Sequence, residues 1–432
     1  MQTPSPKMQI PSPNIKLGLP NMKLGRKHGR SGPDVVGLDI QPGLVAAVQA
    51  RVNGAILAQR AAVLPLPADI VREGEVADAD VLSEVLRELF HDSGLSKRVR
   101  LGVANQRTVL RTLELPPLSD GGELNAAVRF QAQDQLPMPL NNAVLDFHPL
   151  GIVDTPAGPR QRVVLVAAQR DMIERLLSAV RQAGLQPEGV DLSAFALIRS
   201  LHRAGDAEDD RVLYLNVDGL TNLAIAEGTI CRFTRVVGSG LEGMASELAE
   251  RRSIALTEAR ALLGAVDLNS PVPLEPGQAP PPEAVSDRDV RVPAVEVPES
   301  SSDQRARELS MSYAEMSTAD QAEDGQESPE FSQARLDADV WRVLENGIRE
   351  ISGEVRNSLD FYRSQDGGGE VSRVVLSGSA LDISGFTDAL QASLGVEVQG
   401  ASVELADERL AEQVATHRLA VATGLAAMEA PR

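Results

Sequence analysis

The sequence predicts a two-lobed α/β fold in which a duplicated unit encloses a cleft and a small α+β domain is inserted into the first lobe. An extended apolar segment followed by a hairpin occurs at Val35 and again at Arg211, and each is followed by helices and further strands. A strand–helix–strand–strand–helix order over residues 108–183 predicts the inserted domain. Two similar turns are therefore expected to face each other across the cleft.

The first lobe begins with a buried strand and a hairpin. Asn53-Gly54 joins two extended apolar segments and predicts a two-residue hairpin, because both positions tolerate positive φ. Apolar residues at helical spacing predict a helix over Ala79–Phe90. The predicted strands of this lobe are Val35–Ile40, Val45–Val52, Ala55–Val63 and Val99–Val103.

The inserted domain carries clear helix boundaries. Asp120, followed three residues later by Glu123, predicts the start of a helix over Leu124–Gln135, which Pro137 ends. Gly184 suits the position after a second helix, because a helix commonly ends with a glycine in the left-handed conformation. The other predicted elements are strands Thr108–Leu115, Val144–Leu150 and Arg162–Ala168, and helix Asp171–Ala183.

The second lobe repeats the pattern of the first. Gly238-Ser239-Gly240 precedes a helix, an arrangement that suits either an anion site or a tight turn. A final helix is predicted from about Ala406 to Met428. The remaining predicted elements are strands Arg211–Val217, Leu223–Ala226, Thr229–Val237 and Arg373–Leu376, and helices Ala194–Arg203, Leu241–Arg251, near Thr257, Val340–Tyr362 and near Phe386–Leu394.

Charge is distributed unevenly along the chain. The 432 residues carry a formal net charge of −19, which argues against a general nucleic-acid binder. Residues 1–33 hold six basic residues and no acid, whereas residues 269–330 hold 14 acids, four bases and nine prolines. Both segments are predicted to be disordered, with a short helix near Arg305–Met316. A single cysteine, Cys231, excludes an internal disulfide framework, and the histidines and Cys231 form no zinc constellation.

These signals divide the chain into six predicted parts. They are a basic tail over residues 1–34, the first lobe over 35–105 (continued by 188–207), the inserted domain over 106–187, the first part of the second lobe over 208–268, an acidic Pro-rich insert over 269–330, and the rest of the second lobe with the C-terminal helix over 331–432.

Several segments, taken in order, resemble the actin-like ATPase superfamily and, within it, the type IV pilus assembly protein PilM family, which is related to the cell-division protein FtsA. Each segment is short, and their joint order over almost the whole fold carries the resemblance. The matching segments are Val36–Ile40, Leu110–Pro116, Glu123–Pro137, Val144–Phe147, Thr221–Leu223, Val375–Gly378 and Leu419–Ala426.

The resemblance implies an actin-like, duplicated RNase H-like fold that holds ATP and Mg²⁺ between the lobes. In such folds, hairpin N–H groups surround the phosphates and an acidic residue after the first strand orders the metal's water shell. It implies a Mg²⁺ role, through water, for Asp39 and assigns no catalytic residue. The positions it assigns to the nucleotide are Asp39, Gln41, Gly43, Asn216, Asp218, Gly219, Thr221, Gly238, Gly240, Glu258, Gly378 and Ser379.

This sequence departs from the family pattern within the implied nucleotide site. Pro42 replaces a residue whose N–H would face a phosphate, and proline has no N–H. Asn216 stands where an aspartate is expected, and Asp218 where a glycine is expected. Two basic positions, near Ala46 and after Glu258, are also changed. The departures predict weakened or lost nucleotide binding and leave open whether the protein is an enzyme.

The resemblance favours an interaction protein. It implies a cytoplasmic actin-like scaffold of a type IV pilus or a related secretion machine, bound to the short N-terminal segment of a PilN-like inner-membrane protein. Thr108–Leu115 and Leu124–Gln135 are the expected walls of that groove. A pilus motor ATPase is a further expected partner, nucleic acid is not, and membrane association is expected to be indirect or through the basic tail.

Two alternatives remain open at this point. An active ATPase or a sugar-kinase-like phosphotransferase would use the same cleft, with Asp39 and Asp218 as the candidate carboxylates. An FtsA-like membrane tether would use the basic tail of residues 1–33 in place of a C-terminal amphipathic anchor.

Overall fold

The computed structural model describes residues 35–53, 55–118, 120–156, 158–203, 210–270, 329–365 and 367–427. The predicted tail, most of the acidic insert and the helix predicted near Arg305–Met316 lie outside these residues. Contacts within the chain define two units, residues 1–270 with 342–432 and residues 271–341. All strands belong to the first unit, which also contains every site described below.

The first lobe is built on a six-stranded mixed sheet. The predicted hairpin is confirmed, because β2 and β3 pair antiparallel on either side of position 54. The sheet order is β10-β6-β1-β2-β3-β16. Its strands are β1 (Val35–Gln41), β2 (Leu44–Asn53), β3 (Ala55–Pro65), β6 (Arg98–Val103), β10 (Gln186–Leu192) and β16 (Glu404–Leu405); a separate ribbon pairs β4 (Val71–Arg72) with β5 (Glu75–Val76).

The second lobe repeats this plan with a five-stranded sheet, in the order β13-β12-β11-β14-β15. As in the first lobe, the first two strands form an antiparallel pair and a parallel strand lies on the other side. This repeat confirms the predicted duplicated α/β fold. The strands are β11 (Arg211–Val217), β12 (Thr221–Glu227), β13 (Ile230–Val237), β14 (Arg373–Ser377) and β15 (Val398–Gly400).

A third sheet of three strands, in the order β7-β9-β8, lies within the predicted inserted segment. Its apolar face packs on a helix whose start is capped by the Asp120 carboxylate, which accepts from the N–H groups of Gly122 and Glu123 at 2.8 and 2.9 Å. The strands are β7 (Val109–Leu115), β8 (Ala143–Thr155) and β9 (Gly158–Gln169).

The described part of the chain includes nine α-helices. The helix that follows β9 packs its apolar residues into the core of the first lobe, so the predicted inserted segment contributes to two cores. Gly184 follows that helix with φ +79°, as predicted. The helices are α1 (Ala79–Ser93), α2 (Gly121–Gln135), α3 (Arg170–Gln182), α4 (Ser193–Leu201), α5 (Leu241–Arg252), α6 (Leu256–Gly264), α7 (Pro329–Arg363), α8 (Phe386–Leu394) and α9 (Ala420–Ala426).

The predicted final helix from Ala406 to Met428 is wrong. Residues 404–405 instead pair with β3, and the Ala406 N–H continues that pairing to the Ala58 carbonyl at 2.9 Å. The His417 carbonyl then accepts from the Gly378 N–H at 3.0 Å, and its ring contacts Asp382. These tertiary contacts override the helical propensity of the segment. The α-helix is therefore confined to α9, preceded by two short 3₁₀ turns, Glu408–Leu410 and Thr416–Leu419.

Two other features complete the fold. Strand β10 has no counterpart among the predicted elements, because Pro187 and Gly189 interrupt its apolar pattern. Helix α9 packs closely on α4, since a β-carbon added to Gly424 would lie 1.8 Å from the Ala196 carbonyl oxygen. A search of the described residues found no helix with the length and apolar character of a membrane span.

Candidate functional site

The two turns that begin the lobes are in direct contact. Pro42 and Gly43 join β1 to β2, and Asp218–Leu220 join β11 to β12. A β-carbon added to Gly219 would lie 2.1 Å from the Pro42 carbonyl oxygen, so the two backbones already touch at this point. The structure thus confirms that the turns face each other, and it leaves no gap between them.

Asp39 lies near the end of β1, and its carboxyl group is buried. Its Oδ2 atom accepts a hydrogen bond from the Gln41 amide at 2.9 Å, and only 5% of the residue is exposed. Burial raises the pKa of Asp39 to about 7; the Gln41 hydrogen bond acts in the opposite direction, and the charge of Asp218 adds to the rise. The position assigned to Mg²⁺ is therefore a desolvated carboxyl group that favours its protonated form.

Asp218 is bonded to the turn that the resemblance assigns to adenosine. Its Oδ1 atom accepts from the Ser379 N–H at 2.6 Å and from the Ser379 hydroxyl at 2.7 Å. Its Oδ2 atom accepts from the Asn216 amide at 2.7 Å, and the Asn216 oxygen in turn accepts from the Ser377 hydroxyl at 2.8 Å. Both carboxylate oxygens of Asp218 thus have donors from within the chain.

The glycine-rich turn before α5 packs on the same hairpin. A β-carbon added to Gly240 would lie 2.4 Å from the Gly219 carbonyl oxygen, and the Leu241 N–H donates to the Asp218 carbonyl at 2.8 Å. The Thr221 hydroxyl donates to the Ser239 carbonyl at 2.6 Å. Of the two predicted roles for this turn, the tight turn is the one that these contacts describe.

An arginine from the second lobe reaches across to the first. The Arg260 guanidinium on α6 pairs with both carboxylate oxygens of Glu242 on α5 and donates to the Leu66 carbonyl at 3.0 Å. The Leu66 N–H in turn donates to the Gly43 carbonyl at 2.9 Å. A β-carbon added to Gly43, which has φ +81°, would lie 2.8 Å from Glu242 Oε2. This cluster fixes the first turn against α5 and α6.

The structure brings most of the twelve predicted positions together and separates one. Asp39, Gln41, Gly43, Asn216, Asp218, Gly219, Thr221, Gly240 and Ser379 belong to the contacting turns, and Gly378 packs on Val217 behind them. Gly238 contacts the Gln106 amide. Glu258 is exposed on α6 and makes none of the contacts described above.

Sequence reasoning missed Glu242 and Arg260. The available signal was that Arg260 lies on the helix where the resemblance leads one to expect a lysine. Its contact with the Leu66 carbonyl of the other lobe depends on tertiary geometry, which that signal does not show.

These residues do not fit a nucleotide as they are arranged. A phosphate group between the turns would displace the Pro42–Gly219 contact, and Pro42 offers no N–H to it. The donors of Ser379 are bonded to the Asp218 carboxylate, whose charge would repel a phosphate. No group of three or more His, Cys, Asp or Glu side chains suited to a metal ion occurs among the described residues.

A separate groove of about 1460 Å³ lies between two sheet edges. Strand β7 pairs only with β9, and β13 pairs only with β12, so each leaves one edge without a neighbouring strand within the described part of the chain. Thr108–Thr112 and Glu114 line one wall, Arg232–Val237 line the other, and side chains of α7 from Glu350 to Tyr362 close one end. Its two walls come from the inserted segment and from the second lobe.

The groove combines apolar and paired charged side chains. Phe361 is 56% exposed, and its ring centroid lies 5.9 Å from that of Phe233. The wall charges pair with one another, as in Arg162–Glu114 at 3.0 Å and Arg235–Glu354 at 2.8 Å. The groove therefore has little net charge, and an exposed aromatic ring lies on its surface.

Unpaired polar atoms also surround the groove. The Asn222 side chain is 2% exposed, and within the described part of the chain both of its polar atoms are without a hydrogen-bond partner. The same holds for the hydroxyl groups of Thr108 and Tyr362. Buried polar groups are normally paired, so these three residues are exceptions among those that line the groove.

Residues from one of the two predicted walls line this groove. Those of the predicted strand Thr108–Leu115 do so, whereas those of helix Leu124–Gln135 do not; Pro137, just after that helix, also lines the groove. The helix covers the opposite, apolar face of its sheet, where Leu124, Val128 and Ala132 pack on the strands.

Comparisons with known proteins found similarity in sequence and in structure. Residues 37–235 match the sequence profile of the family described as type IV pilus assembly protein PilM. Among solved structures, the chain is similar to the PilM-PilN type IV pilus biogenesis complex, with 22% identity, coverage of 91% of this chain and 97% of that chain, and a TM-score of 0.64.

More distant similarities are to the ethanolamine utilization protein EutJ from Carboxydothermus hydrogenoformans and to MreB5 of Spiroplasma citri bound to ADP. The first has 15% identity, 90% and 88% coverage and a TM-score of 0.45. The second has 11% identity, 91% and 95% coverage and a TM-score of 0.44.

Proposed function

We propose that this chain is a cytoplasmic scaffold of a type IV pilus machine, and that it binds the short cytoplasmic N-terminal segment of a PilN-like inner-membrane protein. The match of residues 37–235 to the family described as type IV pilus assembly protein PilM supports the first part. The partner class comes from the similar structure, which is a complex of PilM with PilN. The scaffold would thereby connect the membrane-embedded part of the machine to its cytoplasmic side.

The observation that carries the proposal is the groove between the edges of β7 and β13. A sheet edge presents a row of main-chain N–H and C=O groups, and an extended peptide can pair with it as an added strand. The β7 edge lines the groove over most of its length. An extended segment of six or seven residues spans roughly 20 Å, about the length of β7.

The walls suit a peptide of mixed character. Main-chain pairing with β7 supplies affinity that is independent of sequence, and Phe361 offers an apolar contact for alternate side chains. Thr108, Asn222 and Tyr362 hold unpaired polar atoms near the groove, which peptide groups or the water around them can satisfy. Because the wall charges already pair with one another, a strongly charged partner segment has no advantage here.

The proposal includes a nucleotide cleft that no longer needs its ligand. The Pro42–Gly219 contact and the bonded state of Asp218 support it, since both oppose a phosphate between the turns. No contact among the described residues gives similar support to ATP turnover, to a sugar-kinase activity or to a role as a membrane tether. A pilus motor ATPase remains a predicted further partner.

The direct test is binding of a fluorescent peptide copied from the N-terminal segment of the PilN-like protein encoded beside this chain. We expect saturable binding in the micromolar range by fluorescence anisotropy, without nucleotide. Thr112→Pro on the β7 edge and Phe361→Ala should weaken it.

Phe130→Ala is the matched control, because Phe130 is 74% exposed on α2 and does not line the groove. Equal loss of binding in the Phe130 and Phe361 variants, or no binding at high micromolar peptide, would contradict the proposal.

A further inference from the structure

In this chain, side chains occupy positions that the resemblance assigns to nucleotide, and one of them joins the two lobes. Within the second lobe, the Asp218 carboxylate accepts hydrogen bonds from the N–H and the hydroxyl of Ser379. Arg260 provides a cation that joins Glu242 of the second lobe to the Leu66 carbonyl of the first. We call these two groups the internal latch.

We propose that the internal latch takes the place of nucleotide in this cleft, so that the two lobes stay closed without any ligand. The Asp218 carboxylate occupies the donors of the Ser379 turn, and the Arg260 guanidinium holds the Gly43 turn through Leu66. Closure by a bound nucleotide would depend on the nucleotide, whereas the lobes of this chain are closed at all times.

The geometry of the turns supports constant closure. The Gly219 backbone packs on Pro42, and Gly240 packs on Gly219, so three backbone segments from both lobes are in contact. Neither Gly219 nor Gly240 has room for a β-carbon at ordinary van der Waals distance. Such packing is disrupted when the lobes separate by even one ångström, because dispersion contacts weaken steeply with distance.

The latch also bears on the groove, and this step rests on the proposed function. The groove walls are β7 of the inserted segment, which is attached to the first lobe, and β13 of the second lobe, so the relative position of the lobes affects the width of the groove. A chain held closed keeps the two edges at one separation and has its peptide site formed in advance. A pre-formed site binds more tightly. When only a fraction of the molecules is in the binding-competent state, the apparent affinity falls in proportion to that fraction.

The test uses the full chain, with hydrogen exchange measured at the amides of Leu66 and Asp218, which are hydrogen-bonded at the two turns. We expect Arg260→Ala to speed exchange at both amides by about tenfold, because the lobes then open more often. Arg260→Lys keeps the charge beside Glu242 but cannot also reach Leu66, and should give a smaller increase in the same direction.

Arg349→Ala is the control, since Arg349 pairs only with neighbours on the exposed face of α7, Glu345 and Asn346. Unchanged exchange in both Arg260 variants would overturn the latch. So would a rise of several degrees in the wild-type Tm on adding millimolar MgATP, because a ligand that binds the native state stabilises it. Both readings are made without peptide, so they remain decisive if the peptide proposal fails.

Discussion

The carbonyl oxygen of Pro42 lies against the α-carbon of Gly219, at a distance that would place an added β-carbon only 2.1 Å away. This contact joins the first turn of one lobe to the first turn of the other. It occurs where the family resemblance implies a phosphate, and it depends on a proline that cannot donate to one. The two lobes are thus in backbone contact at this point.

Gly219→Ala should destabilise the protein through steric overlap with Pro42. Overpacking at a rigid backbone contact costs about 1–3 kcal/mol, so the Tm should fall by several degrees. Gly243→Ala is the control, because no atom lies within 4 Å of an added β-carbon there and α5 should gain helix propensity. Thermal unfolding of both variants measures the difference, and a Gly219 variant as stable as wild type would contradict the contact.

Asp39 should make stability fall as the pH rises. Burial raises its pKa from 3.8 to about 7, so between these values the unfolded chain ionises this group while the folded chain keeps its proton. The stabilisation is complete below about pH 4 and is lost as the pH approaches 7. Asp39→Asn removes this dependence and should be more stable than wild type near pH 8, by at most about 4 kcal/mol.

Urea unfolding of wild type and Asp39→Asn across pH 5 to 8 would measure the effect, with Glu258→Gln, which removes an exposed carboxylate, as the control variant. Parallel curves for wild type and the Asp39 variant would show that the carboxyl group ionises freely.

Phe361 should carry a large share of the peptide affinity. It is the exposed aromatic ring of the groove and packs beside Phe233, so a bound segment can cover it. Phe361→Ala should raise the Kd by about tenfold or more, in the range of aromatic hot spots. Isothermal titration with the peptide gives the value; a change below twofold would assign the affinity to other contacts.

Arg199 and Asp191 form a buried ion pair that should be important for stability. Their side chains are 4% and 5% exposed, and the Arg199 Nε–H also donates to the Gly424 carbonyl at 3.1 Å. Arg199→Met leaves the Asp191 charge buried and unpaired, and should cost about 3–5 kcal/mol in the free energy of unfolding. Adding Asp191→Leu should recover much of that loss. Chemical denaturation of the two variants tests this, and a neutral Arg199→Met would contradict it.

The fold could be predicted largely because each lobe begins with a strong local signal. Asn53-Gly54, the cap at Asp120 and Gly184 each predict a boundary through residues close in sequence. The structure has the predicted pairing of β2 with β3, the Asp120 cap and the left-handed Gly184. The C-terminal region could not be predicted in this way, since Glu404–Leu405 pair with β3 across several hundred residues. Its helical composition gives no sign of that contact.

Most residues of the candidate site could be predicted to lie together, but the bonds between their side chains could not. The resemblance indicated the turns that meet, but no local pattern shows that Asp218 bonds Ser379 or that Arg260 reaches Leu66. The same holds for the groove, which Thr108–Thr112 and Glu114 line and α2 does not. Which edge of a sheet lacks a neighbouring strand depends on the order of the strands, and no single segment of the sequence determines that order.

The most direct test of the scaffold is a hydrogen-exchange map of the chain with and without the partner peptide, repeated with MgATP. The account predicts that the peptide slows exchange along β7 and at β13, with no change at the Pro42 and Gly219 turns and no effect of MgATP. Protection at those turns instead of at β7, or protection of β7 only when MgATP is present, would contradict it.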